Sequence, residues 1–296
     1  MRKSIYPSQA AFMWGETVLT QYSSGCLRAI LISAHGIRES FPQVYADVGA
    51  AHEAWYEGQQ GGNPHLLSYE REVPVRREIP GVPGVTYSGR IDVLEQYAVG
   101  PVIVETKGTI SKDTRLSVIR KGLVKLNQLA QLVSYMIATE IPRGKLVVGY
   151  YEYDLEQATF RHCEGREFKI EIDDHGMILV DKIASGYAVQ DALAHRQAAA
   201  AVLAANSVGS RPDKWDQAFG GPCRMCVFKD ACAKYDADTP STEEFLDAAR
   251  YATLTAPSRP EPAAHVYKPK KPSASKPKRP DKARTSSESQ DVKDVD

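Results

Sequence analysis

The sequence predicts an α/β fold in which a central mixed β-sheet is flanked by helices. Three observations predict it. Helical and strand-like segments follow one another in blocks: helices, strands, a helix, then strands and helix again. Two runs near the middle, Gly89-Arg90-Ile91-Asp92-Val93-Leu94 and Val102-Ile103-Val104-Glu105-Thr106-Lys107-Gly108, read as buried strands joined by a turn. The chain has 296 residues and is 43% hydrophobic, enough for a substantial core.

Taken in order, residues 23–34 and 44–58 read as short helices. Leu66 to Ile79 opens a β-rich stretch, punctuated by Pro80-Gly81-Val82-Pro83-Gly84. The hairpin follows. Residues 112–139 carry Leu, Val and Ile at three- and four-residue spacing and read as one long helix. Lys145 to Leu155 reads as a strand, with further strand signals at 158–163 and 167–173. Residues 175–205 read as helical and end in an alanine-rich run. Cysteines cluster at 223–232. This organisation predicts a main domain over 1–240, a linker or short helix over 241–255, and a tail over 256–296.

The tail has its own composition. Seven prolines fall between Pro257 and Pro280, and nine basic residues between Arg259 and Arg284. Such a segment cannot bury enough apolar surface to fold. It reads either as a solubilising tail or as a basic arm for nucleic acid. Over the whole chain, 37 Lys and Arg balance 37 Asp and Glu, so net charge alone does not point to nucleic acid. No apolar run is long enough for a membrane span. Met1 to Pro7 lacks the apolar core of a signal peptide. A cytoplasmic protein is therefore expected, in which cysteines more often bind metals than form disulfides.

The hairpin carries the chemistry. Charged side chains are rarely sited in buried strands unless paired or ligating. Side chains alternate across a strand, so Glu105 and Lys107 share a face. With a turn over Tyr97 to Gly100, Gln96 faces Pro101, Leu94 faces Ile103, and Asp92 faces Glu105. Opposed side chains have Cβ atoms about 5 Å apart. Carboxylates that close repel each other unless a cation or a proton lies between them. Hard oxygen ligands favour magnesium or manganese over zinc. A neighbouring lysine can orient water and stabilise charge on a phosphate. An ordinary surface ion pair is the competing reading. The other face, with Ile91, Val93, Val102, Val104 and Thr106, reads as core.

Cys223-x2-Cys226-x5-Cys232 suggests thiolate ligation, to zinc or to an iron–sulfur cluster. Both want four ligands, and the neighbouring residues offer no fourth. Cys26 and Cys163 are the remaining cysteines.

Together these residues resemble the RecB-like branch of the PD-(D/E)XK nucleases. In particular, they resemble the iron–sulfur members that include CRISPR-associated and AddB-type enzymes. The resemblance spans roughly residues 20–235 as an ordered series of short motifs. Gly89-Arg90-Ile91-Asp92 is similar to the family's Gly-x-x-Asp motif, with Ile91 where the superfamily name expects proline. Glu105-Thr106-Lys107 is similar to its Glu-x-Lys motif, and Gln131-Leu132-Val133-Ser134-Tyr135 to its Gln-x-x-x-Tyr motif. Gly49-Ala50-Ala51-His52-Glu53 resembles the upstream helix that supplies a histidine ligand. Four-residue spacing puts Gln131 and Tyr135 on one helix face beside Gln128.

The resemblance implies a restriction-endonuclease-like core and a deoxyribonuclease, most readily an exonuclease on single-stranded DNA or DNA ends. It implies Mg2+ or Mn2+ held by His52, Asp92, Glu105 and the carbonyl of Thr106. Lys107 would act on the attacking water, and Gln131 and Tyr135 would organise the site. Lys112, Arg115, Arg120, Lys121 and Lys125 would line part of a DNA groove. It also implies a 4Fe–4S cluster on Cys26, Cys223, Cys226 and Cys232 that joins the N- and C-terminal segments, leaving Cys163 over. DNA is the expected partner, with a helicase or integrase encoded separately. A non-catalytic DNA-binding scaffold that keeps the same fold is the alternative.

Overall fold

The computed structural model of the protein describes residues 4–5, 31–32, 35, 37, 43–79, 81–206, 208, 228, 232 and 241–255. The fold is α/β. Eight strands form one mixed sheet: β1 (Ser4–Ile5), β2 (Leu66–Glu78), β3 (Thr86–Tyr97), β4 (Gly100–Thr109), β5 (Arg143–Asp154), β6 (Thr159–Ile172), β7 (Met177–Val180) and β8 (Ile183–Ala188). The described helices are α1 (Gln43–Gln60), α2 (Lys112–Thr114, running on as a π-helical turn over Arg115–Arg120), α3 (Leu126–Thr139), α4 (Val189–Ala205) and α5 (Thr242–Thr255). The strand order is β1-β3-β4-β5-β6-β7-β8, with β2 also paired to β3. β1 with β3 and β4 with β5 are parallel; the other pairs are antiparallel.

The β3–β4 hairpin has the register its sequence predicts: Tyr97 pairs with Gly100, Gln96 with Pro101, and Leu94 with Ile103. Both of its faces are covered. Val93 and Val104 pack with Val147, Tyr56 and Trp55 beneath α1. On the other face Ile103, Leu146 and Val148 share a core with Leu132, Val133 and Met136 of α3. Parallel β4 and β5 need a crossover, and α2 with α3 supplies it.

Two stretches depart from the sequence reading. The single helix expected over 112–139 is broken: the π turn ends at Arg120, and Gly122 adopts a left-handed φ of 73° before α3 begins at Leu126. Glycine reaches that conformation without a Cβ clash, so the chain redirects there despite an unbroken apolar pattern. The helix expected over 175–205 starts only at Val189. Before it, β7 and β8 form a hairpin that turns at Asp181 and Lys182, both with positive φ. That turn is pinned from outside. The Lys169 N–H donates to Asp181 Oδ1 at 2.9 Å, and the Asp181 N–H donates to the Lys169 carbonyl at 2.8 Å. The two strand signals at 158–163 and 167–173 form one strand, β6. In α5, Phe245, Leu246 and Ala249 are buried in the main core.

Helix α1 lies directly on β4 because Gly108 has no side chain. A Cβ there would stand 2.6 Å from the Val48 carbonyl oxygen, a backbone atom that cannot swing aside. Gly108→Ala is expected to destabilise the fold by about 1–3 kcal/mol, read as a lower urea midpoint with an unchanged m-value. An unaltered midpoint would mean that α1 shifts away at no cost.

Candidate active site

Register puts Glu105 and Lys107 on the α3 face of the sheet, but alternation in β3 flips at Asp92: Ile91, expected beside Val93 and Val104, packs in the α3 core, while those two lie under α1. Glu105 and Lys107 align with Leu146 and Val148 of β5, which belong to the α3 core. The β3–β4 ladder runs from Tyr97–Gly100 to Val93–Val104, so Asp92 and Glu105 come at its end. Immediately beyond it, the Thr106 N–H donates to Asp92 Oδ2 at 2.9 Å and the Thr106 hydroxyl donates to the same oxygen at 3.2 Å. Asp92 is thus oriented by backbone, with Oδ1 left for other contacts.

Glu105 is fully buried, and its Oε1 makes an ion pair with Lys107 Nζ. Oε2 has no partner among the described residues. Burial pushes the Glu105 carboxyl up to about 7, with Lys107 working against the rise and Asp92 adding to it. Burial acts to lower the Lys107 ammonium, but the charges of Glu105 and Asp92 outweigh it and hold that group above its ordinary range. A buried carboxylate with an unfilled oxygen is expensive unless something positive occupies its open side.

Tyr135 of α3 completes this face. Its hydroxyl accepts the Arg90 N–H at 3.2 Å. Burial raises its phenol, and the carboxylates of Glu105 and Asp92 raise it further; Gln131 hydrogen-bonds to it and acts the other way. Gln128 Oε1 is buried without a partner among the described residues. The structure therefore brings together Asp92, Glu105, Thr106, Lys107, Gln131 and Tyr135.

His52 stands on the opposite, α1 face. Both ring nitrogens are engaged: Nε2 lies 3.1 Å from the Val147 carbonyl and Nδ1 lies 3.1 Å from the Tyr151 hydroxyl. The carbonyl can only accept, so Nε2 carries the proton and Nδ1 accepts from Tyr151. Burial lowers the imidazole to about 4, so it is neutral near pH 7. Trp55 stacks on His52 at 5.4 Å and on His162 at 4.0 Å. Among the described residues, no three His, Cys, Asp or Glu side chains are grouped to hold one metal ion. The charges of Lys107 and Asp92 nevertheless act on the His52 ring.

The basic residues expected along the long helix surround the π turn. Arg115 Nε donates to Glu164 Oε2 at 2.6 Å, and Arg120 Nε reaches the same oxygen at 3.3 Å. The Arg115 guanidinium lies 4.7 Å from the Tyr150 ring centroid. Arg166 reaches the Ile119 carbonyl at 3.4 Å. Tyr150 pairs with Glu164 and Val148 with Arg166, so these guanidinium groups lie on the same face as Glu105 and Lys107. Lys112 and Lys121 are exposed, and Lys125 donates to Thr114 Oγ1 at 2.7 Å.

Two neighbours were not singled out by sequence. Glu53 follows His52 on α1; burial and then the Asp92 charge raise its carboxyl, and it pairs with Arg71 at 3.1 Å. Glu72 on β2 stands opposite Asp92, where the β2–β3 ladder skips a pair, and pairs with Arg90. Its φ is 52°. A left-handed non-glycine residue costs on the order of 1 kcal/mol or more. An exposed ion pair contributes about 0–1 kcal/mol. The Glu72–Arg90 pair therefore does not offset the strain beneath it. Proximity of Glu53 to His52 in sequence was an available signal. Nothing in the sequence announces a left-handed glutamate.

The cysteines Cys26, Cys223 and Cys226 lie outside the described residues. Cys232 is buried, with its N–H donated to the Phe228 carbonyl at 2.8 Å, and Cys163 is exposed on β6. No described helix is long and apolar enough to cross a membrane.

No protein-family model and no curated protein matches the chain. Among solved structures the chain is similar to an alkaline exonuclease (LHK-Exo) from Laribacter hongkongensis: 16% identity, 69% of this chain and 89% of that one, TM-score 0.44. LHK-Exo in complex with dAMP matches at 18% identity over 68% and 88%, TM-score 0.42. SSO0001 matches at 17% identity over 78% and 86%, TM-score 0.41. None of these likenesses assigns a role to a residue of this chain.

Proposed function

We propose that the chain is a divalent-metal-dependent deoxyribonuclease that hydrolyses phosphodiester bonds of single-stranded DNA or DNA ends, most readily as an exonuclease. The observation that carries this reading is Glu105, a fully buried carboxylate with an open oxygen, touching Lys107 and close enough to Asp92 to feel its charge. The donor set is hard oxygen, which fits Mg2+ or Mn2+ better than zinc. Asp92, Glu105 and the Thr106 carbonyl would hold the ion; His52 would join only by giving up Val147 or Tyr151. Bound there, the ion would acidify a water molecule and neutralise charge on the scissile phosphate.

The chain's own groups do the rest. Lys107 hydrogen-bonds and orients the attacking water and stabilises negative charge as it develops on the phosphate. Asp92 is kept in position by Thr106. Tyr135 and Gln131 position the strand over the carboxylates. Arg115, Arg120 and Arg166 on the same face attract the phosphate backbone. The test is loss of linear single-stranded DNA with manganese, comparing the parent with Glu105→Ala and Lys107→Ala. DNA binding without cleavage in any divalent metal would favour the non-catalytic scaffold instead.

The 4Fe–4S cluster on Cys26, Cys223, Cys226 and Cys232 belongs to this proposal as what the resemblance to the iron–sulfur nucleases implies. Anaerobically purified protein is expected to be brown and to contain iron and acid-labile sulfide. A colourless protein with stoichiometric zinc would overturn the cluster and leave the nuclease site untouched.

A further inference from the structure

We propose that the Thr106 hydroxyl is a specificity-determining group of this site: by occupying Asp92 Oδ2 it limits Asp92 to a single ligand oxygen and sets the site against calcium. This inference rests on the nuclease reading and gives the middle side chain of Glu105-Thr106-Lys107 a role beyond that of its carbonyl.

The β3–β4 ladder ends at Val93–Val104, and Asp92 lies one residue past it. There the Asp92 side chain ties the two strands. Its Oδ2 accepts the Thr106 N–H at 2.9 Å and the Thr106 hydroxyl at 3.2 Å. A carboxylate oxygen has about two lone-pair sites, so these two donors fill Oδ2 and leave Oδ1. Glu105 is divided in the same way: Oε1 is paired with Lys107, and Oε2 has no partner among the described residues. The two carboxylates are held from opposite sides. Glu105 belongs to the α3 face, whereas Val104 and Gly108 turn to α1, and Thr106 between them turns the same way.

The hydroxyl does not give way readily. It sits on a β-branched side chain with few rotamers. Thr106 is only 6% exposed, so water does not replace a bond that the hydroxyl loses.

One oxygen per carboxylate suits a small ion. Magnesium and manganese take a compact octahedral shell filled out by water. Calcium takes about 6–8 oxygens and commonly draws two of them from one carboxylate. To do so here it must break a Thr106 bond or the ion pair with Lys107. The N–H belongs to the backbone, so the hydroxyl is the part of the Asp92 lock that a side chain decides.

The test is the rise in melting temperature of the full chain, without DNA, across concentrations of MgCl2, MnCl2 and CaCl2. The parent is expected to bind calcium more weakly than either other ion. Thr106→Val keeps a strand-forming side chain and removes the hydroxyl. It should bind calcium about tenfold more tightly than the parent, the worth of one charged hydrogen bond that no longer has to be broken. Its magnesium and manganese affinities should stay within about twofold of the parent's. Thr106→Ala gives the same comparison with a smaller side chain, and Thr106→Ser, which keeps the hydroxyl, restores the parental order. In cleavage with manganese, added calcium should inhibit Thr106→Val at lower concentration than it inhibits the parent. Equal changes for all three ions in a folded Thr106→Val or Thr106→Ala protein, or a parent that binds calcium as tightly as magnesium, overturn this inference while leaving the nuclease reading in place. A parent stabilised by none of the three ions overturns both.

Discussion

Replacing Lys107 by Ala is expected to slow DNA hydrolysis roughly a hundred- to a thousandfold, the usual loss when one positioned donor to developing charge is removed. The same protein should still be stabilised by manganese, because Asp92, Glu105 and the Thr106 carbonyl remain. Glu105→Ala should lose both hydrolysis and that stabilisation. The two variants thus separate ion binding from the handling of water and phosphate. Cleavage assays and melting curves with and without manganese read the two effects independently. Parent-like hydrolysis in both variants would remove this hairpin from the chemistry.

The second large effect concerns stability. The Glu105 carboxyl has an ordinary value of 4.5 and is pushed up to about 7 in the fold, first by burial. The folded chain therefore holds this proton where the unfolded chain has released it. The sign follows: this contribution to stability is present below 4.5 and is lost as pH rises through 7. Above that, the ionised carboxylate costs on the order of 3 kcal/mol relative to the unfolded chain. Glu105→Gln keeps the shape and removes the charge. At about pH 8 it should be more stable than the metal-free parent by about 2–3 kcal/mol, and at about pH 5 by much less. Lys107 then loses its counter-charge, but at 30% exposure it still reaches water, so the gain survives. A divalent cation should raise the melting temperature of the parent and leave Glu105→Gln unmoved. A destabilised Glu105→Gln at alkaline pH would mean that the ion pair with Lys107 outweighs the burial of the carboxylate.

These expectations share a physical origin. The hairpin places a carboxylate where folding alone disfavours it, and the open oxygen faces the same side as Lys107, Tyr135 and the arginines around the π turn. A site that stores such a cost is one in which a cation gains by binding and in which function and stability oppose each other.

Much of the hairpin was legible because strand alternation and antiparallel register are local rules. Once the turn near Tyr97 and Gly100 is recognised, the pairs Gln96–Pro101 and Leu94–Ile103 follow by counting. The four-residue spacing of Gln131 and Tyr135 likewise brought them together on α3. The break at Gly122 and the β7–β8 hairpin were not legible in this way. A single glycine is weak against a long apolar periodicity, and the Asp181–Lys182 turn depends on backbone bonds from Lys169.

The division is clearest at His52 and Glu105. Composition, alternation and spacing were sufficient for the α/β class, for the hairpin register as far as Val93 and Val104, and for Glu105 and Lys107 on one face. The state of each group needed the assembled fold. His52 is neutral and doubly hydrogen-bonded because residues 95 and 99 positions away close on it. Glu105 is raised because α3 and β5 exclude water from it. Glu72 takes its left-handed backbone opposite Asp92 only in the assembled β2–β3 pair. Local rules act over a few residues, whereas desolvation and partner choice depend on which distant segments arrive at the same place.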